Sequence, residues 1–251
     1  MAQVSIIMPC HNSEKTIREA IESVISQTFI DWELLVIDDC SNDETVQIVS
    51  GFIQKDKRIK LLKTEKSYGK PFYPRNIGIQ NASARFIAFL DSDDIWMPTK
   101  LMRQIPLFDK ENIAIVFSEY EKFSSTNYQE KKNRVIKSPE EVTFKSALYG
   151  NPIGNLTSIY DTQKVGKIFF ENAGHEDYIM WLTILKKGFI GKNTNTVEAR
   201  YRVGEKSVSS NKKEAANWTW KIYRKTLKFN LIKSIFYFCV YMIKGVLKYL
   251  K

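Results

Sequence analysis

Two carboxylates separated by one residue, Asp91 and Asp93, directly follow an apolar run at residues 86–90. Carboxylates with this spacing at the end of a strand can converge on one hard cation, because Mg²⁺ and Mn²⁺ prefer oxygen ligands and often add phosphate oxygens to them. A metal ion in that position would neutralise the charge of a departing diphosphate. The alternative is a surface turn, in which Asp and Ser are common. The buried strand predicted by the apolar run favours the metal site.

Two further groups have the chemistry to bind a nucleotide. Asp39, the second of two acids after the apolar run at residues 32–37, can accept hydrogen bonds from a nucleobase or a ribose. Its neighbour Asp38 is as readily explained by capping of the next helix. Arg75 can hold a phosphate or a carboxylate in a forked geometry, and a salt bridge on a helix face would explain it equally well.

A third acidic group, Glu176 and Asp177, lies at the start of a predicted helix. The helix dipole stabilises carboxylates there, which is the purely structural explanation. The chemical explanation is a general base that removes a proton from an acceptor hydroxyl group. His175 has no Cys or His nearby in sequence, so it is not predicted to bind a metal. His11 is expected to line a nucleotide site and not to be a metal ligand.

The segments that carry these groups predict alternating strands and helices. Such alternation predicts parallel βαβ units, and ligands bind to such sheets beyond the carboxyl ends of the strands. The fold class is therefore α/β, with a mostly parallel twisted sheet flanked by helices. Pro9 is expected to end the first strand, Asn12 or Ser13 to cap the first helix, and Ser41 to open a capping box. The predicted strands are residues 4–8, 32–37, 58–63, 86–90, 113–120 and 196–203, the predicted helices are 13–27, 43–55, 75–81, one after Pro98, and 176–187, and residues 124–138 are expected to form a loop.

The net charge of +10 is concentrated at one end of the chain. From Lys212 onwards there are ten basic residues and one acid, Glu214, so this tail carries +9 and the rest is almost neutral. A neutral body with acidic strand ends argues against a nucleic-acid-binding module, which needs a basic groove. Cys10, Cys40 and Cys239 match no zinc or redox spacing and are expected to be reduced, buried thiols. Reduced thiols fit a reducing compartment, and the N-terminus predicts a strand and not a signal peptide. Together these two features indicate a cytoplasmic protein.

The tail, residues 211–251, mixes aromatic side chains with lysines. Its uncharged run is too short to span a bilayer, which needs about 20 apolar residues. A basic, aromatic helical tail is suited to the surface of an anionic membrane. The alternative is a helix or helix pair packed on the body, or a dimer contact. Helical phasing predicts one shared face for Trp220, Tyr223, Leu227, Leu231, Phe238 and Met242.

Five motifs in order resemble one protein family. They are Pro9 with Asn12, then the segment from Asp38 to Asp43, then Arg75-Asn76-Ile77-Gly78, then Asp91-Ser92-Asp93-Asp94-Ile95-Trp96, then Glu176-Asp177. This ordered set resembles the family-two inverting glycosyltransferases, nucleotide-binding proteins of the GT-A type. The resemblance covers residues 1–210 as a catalytic domain, with a nucleotide-binding half at about 1–95 and an acceptor half at about 96–210. The run from Asp93 to Lys100 looks like bacterial enzymes that build O-antigen, capsule or lipooligosaccharide.

The resemblance implies a role for each matched position. Asp93 and Asp91 would bind Mn²⁺ or Mg²⁺, Asp177 would be the catalytic base, and Glu176 would orient the acceptor. Tyr201, Arg202 and Ser207 resemble a segment that closes over the diphosphate, where Arg202 would stabilise the leaving group. Asp94, Trp96 and Trp181 are expected on the acceptor side, and core packing is the alternative for both tryptophans. The nucleotide, expected to be uridine-based, would be held by Pro9, His11, Asn12, Asp39, Arg75, Asp91 and Arg202.

The implied activity is the transfer of a hexose from a UDP-sugar to a hydroxyl group, with inversion of the anomeric carbon. The acceptor would be an undecaprenyl-diphosphate-linked glycan or a polysaccharide, and the enzyme would be peripheral on the inner face of the cell membrane. One alternative is a sugar nucleotidyltransferase, but the loop after the first strand lacks the glycines and basic residues that such an enzyme would need. The others are a nucleic-acid-binding module and an inactive homologue that only binds sugar nucleotides.

Overall fold

The computed structural model describes residues 2–124, 134–203 and 212–247. Ser207 lies outside these ranges, as do residues 125–133 of the predicted loop. The strands are β1 (Val4–Cys10), β2 (Trp32–Asp38), β3 (Ile59–Lys63), β4 (Phe86–Phe89), β5 (Ile95–Trp96), β6 (Ile113–Phe123), β7 (Arg134–Ile136), β8 (Glu141–Val142), β9 (Ile159–Asp161) and β10 (Ile190–Arg202). The α-helices are α1 (Ile17–Ile25), α2 (Thr45–Lys55), α3 (Phe72–Asn81), α4 (Lys100–Gln104), α5 (Phe144–Ala147), α6 (Thr162–Val165), α7 (Glu176–Lys186), α8 (Lys212–Lys221) and α9 (Leu231–Leu247).

The described strands form one sheet in the order β3-β2-β1-β4-β9-β6-β10-β5, with β7 beside β6 and β8 beside β10. The strands β3, β2, β1 and β4 are mutually parallel, and β6 is parallel to β10. The antiparallel strand β9 joins these two parallel groups. The predicted α/β class with a parallel sheet and flanking helices is confirmed, and antiparallel strands extend the sheet in the C-terminal part.

Alternate residues of the strands enter two apolar cores, one on each face of the sheet, as the two-residue period of a strand requires. In β1, Ile6 and Met8 pack on the face covered by α1, α2 and α4, whereas Ile7 packs on the opposite face. That second face is covered by α3 and α7. Because both faces are covered, the central strands are continuous apolar runs.

Three expected element ends differ in the structure. Pro9 does not end β1, since it pairs with Ile37. The ladder to β4 already stops at Ile7, so Pro9 lies where an amide hydrogen is not needed on both sides. Neither Asn12 nor Ser13 caps α1, whose N-cap is Thr16. The capping box at Ser41 is also wrong, because α2 begins after Glu44 without a side-chain cap.

The tail packs on the body through its first half. Between α8 and α9, a π-helical turn (Ile222–Thr226) buries Ile222 and Tyr223 in the same core as α7. The predicted single face is therefore wrong, because this turn and the left-handed backbone of Lys228 change the helical phase. As a result Leu231 is 55% exposed, whereas Tyr223 is fully buried. None of the helices in the described ranges is both long and apolar enough to cross a membrane.

The cysteines are free, as expected, but only Cys10 is buried. Cys40, in the loop after β2, and Cys239, on α9, are exposed. Cys239 is exposed because it lies on the side of α9 that faces away from the body.

Candidate active site

A cleft of about 830 Å³ lies at the carboxyl ends of β1, β2 and β4. Hydrogen bonds between the loops join these strand ends. The Asn12 backbone amide donates to Ser41 Oγ at 2.9 Å, and the Ser13 and Ser92 hydroxyl groups lie 2.8 Å apart. The N-terminus of α3 forms a further wall. The cleft brings together seven of the predicted site residues, namely Pro9, His11, Asn12, Asp39, Arg75, Asp91 and Asp93.

Arg75 connects this cleft to α7. Its guanidinium donates to Asp91 Oδ1 and to Glu176 Oε1, each at 2.6 Å. The Arg75 side chain is only 8% exposed, and α3 holds it in place from its first turn. The two carboxylates raise the pKa of Arg75 against the opposing effect of its burial. Acids from β4 and α7, which are 85 residues apart in sequence, therefore share one cation.

The Asp39 carboxylate is occupied by the segment that precedes α3. It accepts hydrogen bonds from the Thr64 hydroxyl at 2.9 Å and from the backbone amides of Tyr68 and Gly69 at 3.1 and 3.2 Å. The Asp39 carbonyl oxygen lies 2.7 Å from His11 Nδ1. Asp39 thus fixes one wall of the cleft. Asp38 accepts from the Ser41 amide at 3.2 Å in the loop after β2, and it does not cap α2, which begins without a side-chain cap.

The loop after β4 has one exposed and one buried acid. Asp93 is exposed, and partial desolvation and the neighbouring Asp91 raise its pKa. Asp94 is 1% exposed, and its Oδ1 accepts from the backbone amide of Arg202 at 2.9 Å. The Arg202 Nε donates to the Asp93 carbonyl oxygen at 2.8 Å, so the end of β10 lies beside the two metal-ligand candidates. Arg202 also pairs with Glu19 on α1.

Asp91 and Asp93 provide two carboxylates that differ in their partners. Asp91 is one-third exposed and is bound to Arg75 through Oδ1, and Asp93 is exposed. Within the ranges that the structure describes, no three His, Cys, Asp or Glu side chains form a metal site. A set of two carboxylates still fits Mg²⁺ or Mn²⁺, because such ions are often held by one or two carboxylates together with water and substrate phosphate.

Asp177 follows Glu176 in the first turn of α7. Its Oδ2 accepts from the Asn151 amide nitrogen at 2.9 Å. Burial raises the pKa of Asp177, against the opposing influence of His175 and Arg75. Burial also raises the pKa of Glu176 to about 7, although Arg75 acts in the opposite direction. Two carboxyl groups of raised basicity therefore lie next to the Arg75 bridge.

Three residues expected on the acceptor side are buried instead. Trp96 is 1% exposed and donates from Nε1 to the Leu156 carbonyl oxygen at 2.9 Å. Trp181 is also 1% exposed and lies in the core beside Phe89. Neither ring can stack on a sugar, so core packing is the correct explanation for both. Asp94 is likewise enclosed, where it anchors Arg202 and does not contact solvent.

Sequence reasoning assigned no role to Asn151 or Asn76. Asn76 Nδ2 donates to the Phe170 carbonyl oxygen at 2.9 Å, and its Oδ1 accepts from the Phe170 amide at 2.8 Å. These bonds fix the segment before α7 against α3. Gly78 is required in the same helix, because a Cβ there would lie 2.6 Å from Ile7 Cγ2. The motif from Arg75 to Gly78 carried the signal for Asn76, whereas no local pattern marked Asn151.

Comparison with known proteins relates the whole chain to enzymes that transfer sugars. The UDP-Glc:alpha-D-GlcNAc-diphosphoundecaprenol beta-1,3-glucosyltransferase WfgD of Escherichia coli is 38% identical over 247 residues, which cover 98% of this chain and 94% of that protein. The putative teichuronic acid biosynthesis glycosyltransferase TuaG of Bacillus subtilis (strain 168) is 34% identical over 246 residues, with coverages of 98% and 96%.

Two solved structures share the fold. S. aureus TarS 1–349 in complex with UDP-GlcNAc matches with a TM-score of 0.70 at 25% identity, covering 89% of this chain and 65% of that one. The mannosyltransferase PcManGT from Pyrobaculum calidifontis, in complex with GDP-Man and Mn²⁺, matches with a TM-score of 0.68 at 14% identity, with coverages of 91% and 65%. The expected GT-A fold is thereby confirmed.

The family model described as glycosyl transferase family 2 matches residues 5–170. That range contains the Asp39, Arg75, Asp91 and Asp93 positions that line the cleft. The match also decides against a nucleotidyltransferase and a nucleic-acid-binding module. The chain belongs to glycosyl transferase family 2 and is an enzyme of the transferase class.

Proposed function

We propose that this enzyme transfers a hexose from a UDP-sugar to a hydroxyl group of a lipid-diphosphate-linked acceptor, with inversion of the anomeric carbon. The observation that carries the proposal is the Arg75 bridge, which joins Asp91 in the cleft to Glu176, the neighbour of Asp177. The relatives support the substrates, because WfgD is named for UDP-Glc and a diphosphoundecaprenol-linked sugar. TarS was crystallised with UDP-GlcNAc.

The nucleotide would occupy the cleft at the ends of β1, β2 and β4. Pro9, His11 and Asn12 would contact the nucleoside from one side. Asp39 would act there with the segment it binds, because its carboxylate already accepts bonds from Tyr68 and Gly69. In this arrangement residues 1–95 bind the nucleotide, and residues 96–210 supply most of the acceptor half.

Asp177 would act as the general base. An acceptor hydroxyl group attacks the anomeric carbon, Asp177 takes its proton, and the bond to the diphosphate oxygen breaks with its electron pair. The raised pKa of Asp177 makes it a stronger base. Glu176, held by Arg75, would orient the acceptor. A single displacement on the face opposite the nucleotide inverts the anomeric centre.

Arg202 would stabilise the leaving diphosphate from the end of β10, where its Nε already contacts the Asp93 carbonyl oxygen. Asp91 and Asp93 would hold Mn²⁺ or Mg²⁺, and the bound cation would neutralise charge on the diphosphate. Arg75 keeps Asp91 oriented beside this position through their 2.6 Å contact.

The second half of the tail would bind the surface of an anionic membrane. α9 exposes apolar side chains along one side, and Ile232 is 81% exposed and Ile243 58% exposed. Apolar stripes with lysines nearby are typical of helices that lie in the membrane interface. We expect Ile232→Glu with Ile243→Glu to weaken binding to vesicles that contain phosphatidylglycerol; unchanged binding would remove the membrane from the proposal.

The test is a panel of UDP-, GDP- and dTDP-sugars with Mn²⁺, scored for donor hydrolysis and for transfer to a GlcNAc-diphosphate-lipid analogue. We expect turnover with a UDP-sugar only. Asp93→Ala should abolish metal-dependent turnover, and Asp177→Asn should keep UDP binding but lose transfer. Asp31→Asn, at an exposed position before β2, is the matched control. Full transfer by the Asp177→Asn enzyme would exclude Asp177 as the base.

A further inference from the structure

We propose that α9 and the loop at residues 149–151 form a binding site for the diphosphate of a lipid-linked acceptor, with Lys244 as its cation. This inference rests on the proposed function and deepens it. It assigns to the tail a direct part in acceptor recognition, beyond attachment to a membrane. The loop at residues 149–151, which contacts both Asp177 and the tail, leads to this site.

The loop at residues 149–151 lies between Asp177 and the tail. Asn151, which is exposed, donates to Asp177 at 2.9 Å. Gly150 has φ 135°, which side chains rarely adopt, and a Cβ there would lie 3.7 Å from the Tyr241 ring on α9. The glycine therefore allows the chain to turn, so that Asn151 contacts Asp177 and Tyr149, the residue before the glycine, contacts α9.

Tyr149 connects the loop to α9, because its ring contacts Tyr237 and Lys244. Its ring centroid lies 5.4 Å from that of Tyr237 and 4.9 Å from Lys244 Nζ. Residues 149 and 151 are two peptide units apart, which places their Cα atoms within about 7 Å of each other. A sugar whose hydroxyl group reaches Asp177 would thus have its anomeric oxygen, and the diphosphate on it, near Tyr149 and Lys244.

The electrostatics of the tail suit a diphosphate. From Lys212 to Leu247 the chain has one acid, Glu214, and eight basic residues, and the two final lysines bring the total to ten. The exposed Lys244 is held above the Tyr149 ring, and a lysine in that position keeps its donors available to an anion. Charge-assisted hydrogen bonds from Lys to phosphate are stronger than those between neutral groups.

The lipid chain would leave this site along α9. One side of the helix, with Ser234, Tyr237 and Phe238, faces the body. The other side leaves six large apolar residues exposed, namely Leu231, Ile232, Ile235, Phe236, Met242 and Ile243. Met242 and Ile243 directly precede Lys244, so the apolar surface begins where the diphosphate site ends. The cation and the apolar stripe on this one helix match the two parts of a polyprenyl diphosphate, its diphosphate and its polyprenyl chain.

The experiment separates the diphosphate from the membrane by working in solution. Two acceptors are compared: a GlcNAc-α-diphosphate with a short alkyl chain, and the matching alkyl glycoside without the diphosphate. The variants are Lys244→Gln and the control Lys233→Gln. Lys233 lies on the same helix and also sits above an aromatic ring, with its Nζ 4.1 Å from the Phe229 centroid.

For the Lys244→Gln enzyme we expect a KM for the diphosphate acceptor about tenfold higher, since one charge-assisted contact is lost. Its KM for the alkyl glycoside, its KM for the donor and its donor hydrolysis should not change, and the Lys233→Gln enzyme should keep the wild-type preference. The site would be overturned if the Lys244→Gln enzyme kept the wild-type preference for the diphosphate acceptor over the alkyl glycoside, or if both variants lost that preference equally. If the wild-type enzyme hydrolyses a UDP-sugar but uses neither acceptor, the proposed function fails and the site fails with it.

Discussion

Removal of the Arg75 guanidinium is the perturbation whose effect can be worked out most directly from the structure. Arg75→Met keeps an unbranched apolar stem but lacks the guanidinium, so it deletes both 2.6 Å contacts at once. Asp91 and Glu176 would then face each other without their shared cation. Because the arginine is 8% exposed and Glu176 16% exposed, little water can replace that cation.

Removing one partner of a buried ion pair costs about 3–5 kcal/mol. Asp91 is 33% exposed, so solvent screens part of the loss, and we take the lower end, about 3 kcal/mol. The size should depend on pH. The pKa of Glu176 is already about 7 with Arg75 present, and it should rise when the arginine is absent. At pH 6 Glu176 can take up a proton and the loss should be smaller than at pH 8.

Urea unfolding at pH 6 and pH 8 measures this loss. With an m-value of about 3 kcal/mol/M, a loss of 3 kcal/mol lowers the unfolding midpoint by about 1 M. Lys192→Met is the control, because it breaks ion pairs with Glu140 and Glu141, whose side chains are 68% and 53% exposed. The control should shift the midpoint far less at either pH. A shift for Arg75→Met no larger than that of the control would refute the reasoning, as would equal shifts at both pH values.

Two further predictions concern residues next to the site. Burial raises the pKa of Glu176 from 4.5 to about 7, so the folded state holds this proton more tightly than the unfolded state, and stability should fall as pH rises from 4.5 to 7. In Glu176→Gln this part of the fall should be absent from urea midpoints measured across that range; an identical profile would contradict the shifted pKa. Gly174→Ala places a Cβ 2.0 Å from the Trp218 ring of α8, so trypsin should cleave the tail faster. Gly51→Ala, which meets nothing within 4 Å in α2, should stabilise by about 0.5–1 kcal/mol and leave cleavage unchanged.

The strands and the common edge of the site could be predicted because they depend on local pattern. Continuous apolar runs gave β1, β2 and β4 to within two residues, and acids after two of them indicated the edge where ligands bind. The α7 helix was also predicted within one residue of its end. In each case the information lies in neighbouring residues of the chain, which sequence patterns describe well.

The features that were missed depend on contacts between distant segments. Trp96 and Trp181 are of a residue type that can stack on sugar rings, but only the arrangement of strands around them shows that both are enclosed. Asp39 has the chemistry of a nucleoside ligand, and no sequence pattern shows that Tyr68 and Gly69 already donate to it. Similarly, Asn151 reaches Asp177 across 26 residues that include β9 and α6, so no local spacing in the sequence predicts the contact.

The tail combines two roles that a deletion would not separate. Ile222 and Tyr223 belong to the core, and the Tyr223 hydroxyl donates to the Leu148 carbonyl oxygen at 2.8 Å, just before the loop that carries Asn151. Removing residues from 212 onwards would therefore disturb the base through its neighbours as well as any membrane contact. The exposed side of α9 makes no such contribution to the core, because its apolar residues face away from the body. Substitutions confined to that side therefore test membrane binding without altering the support of Asp177.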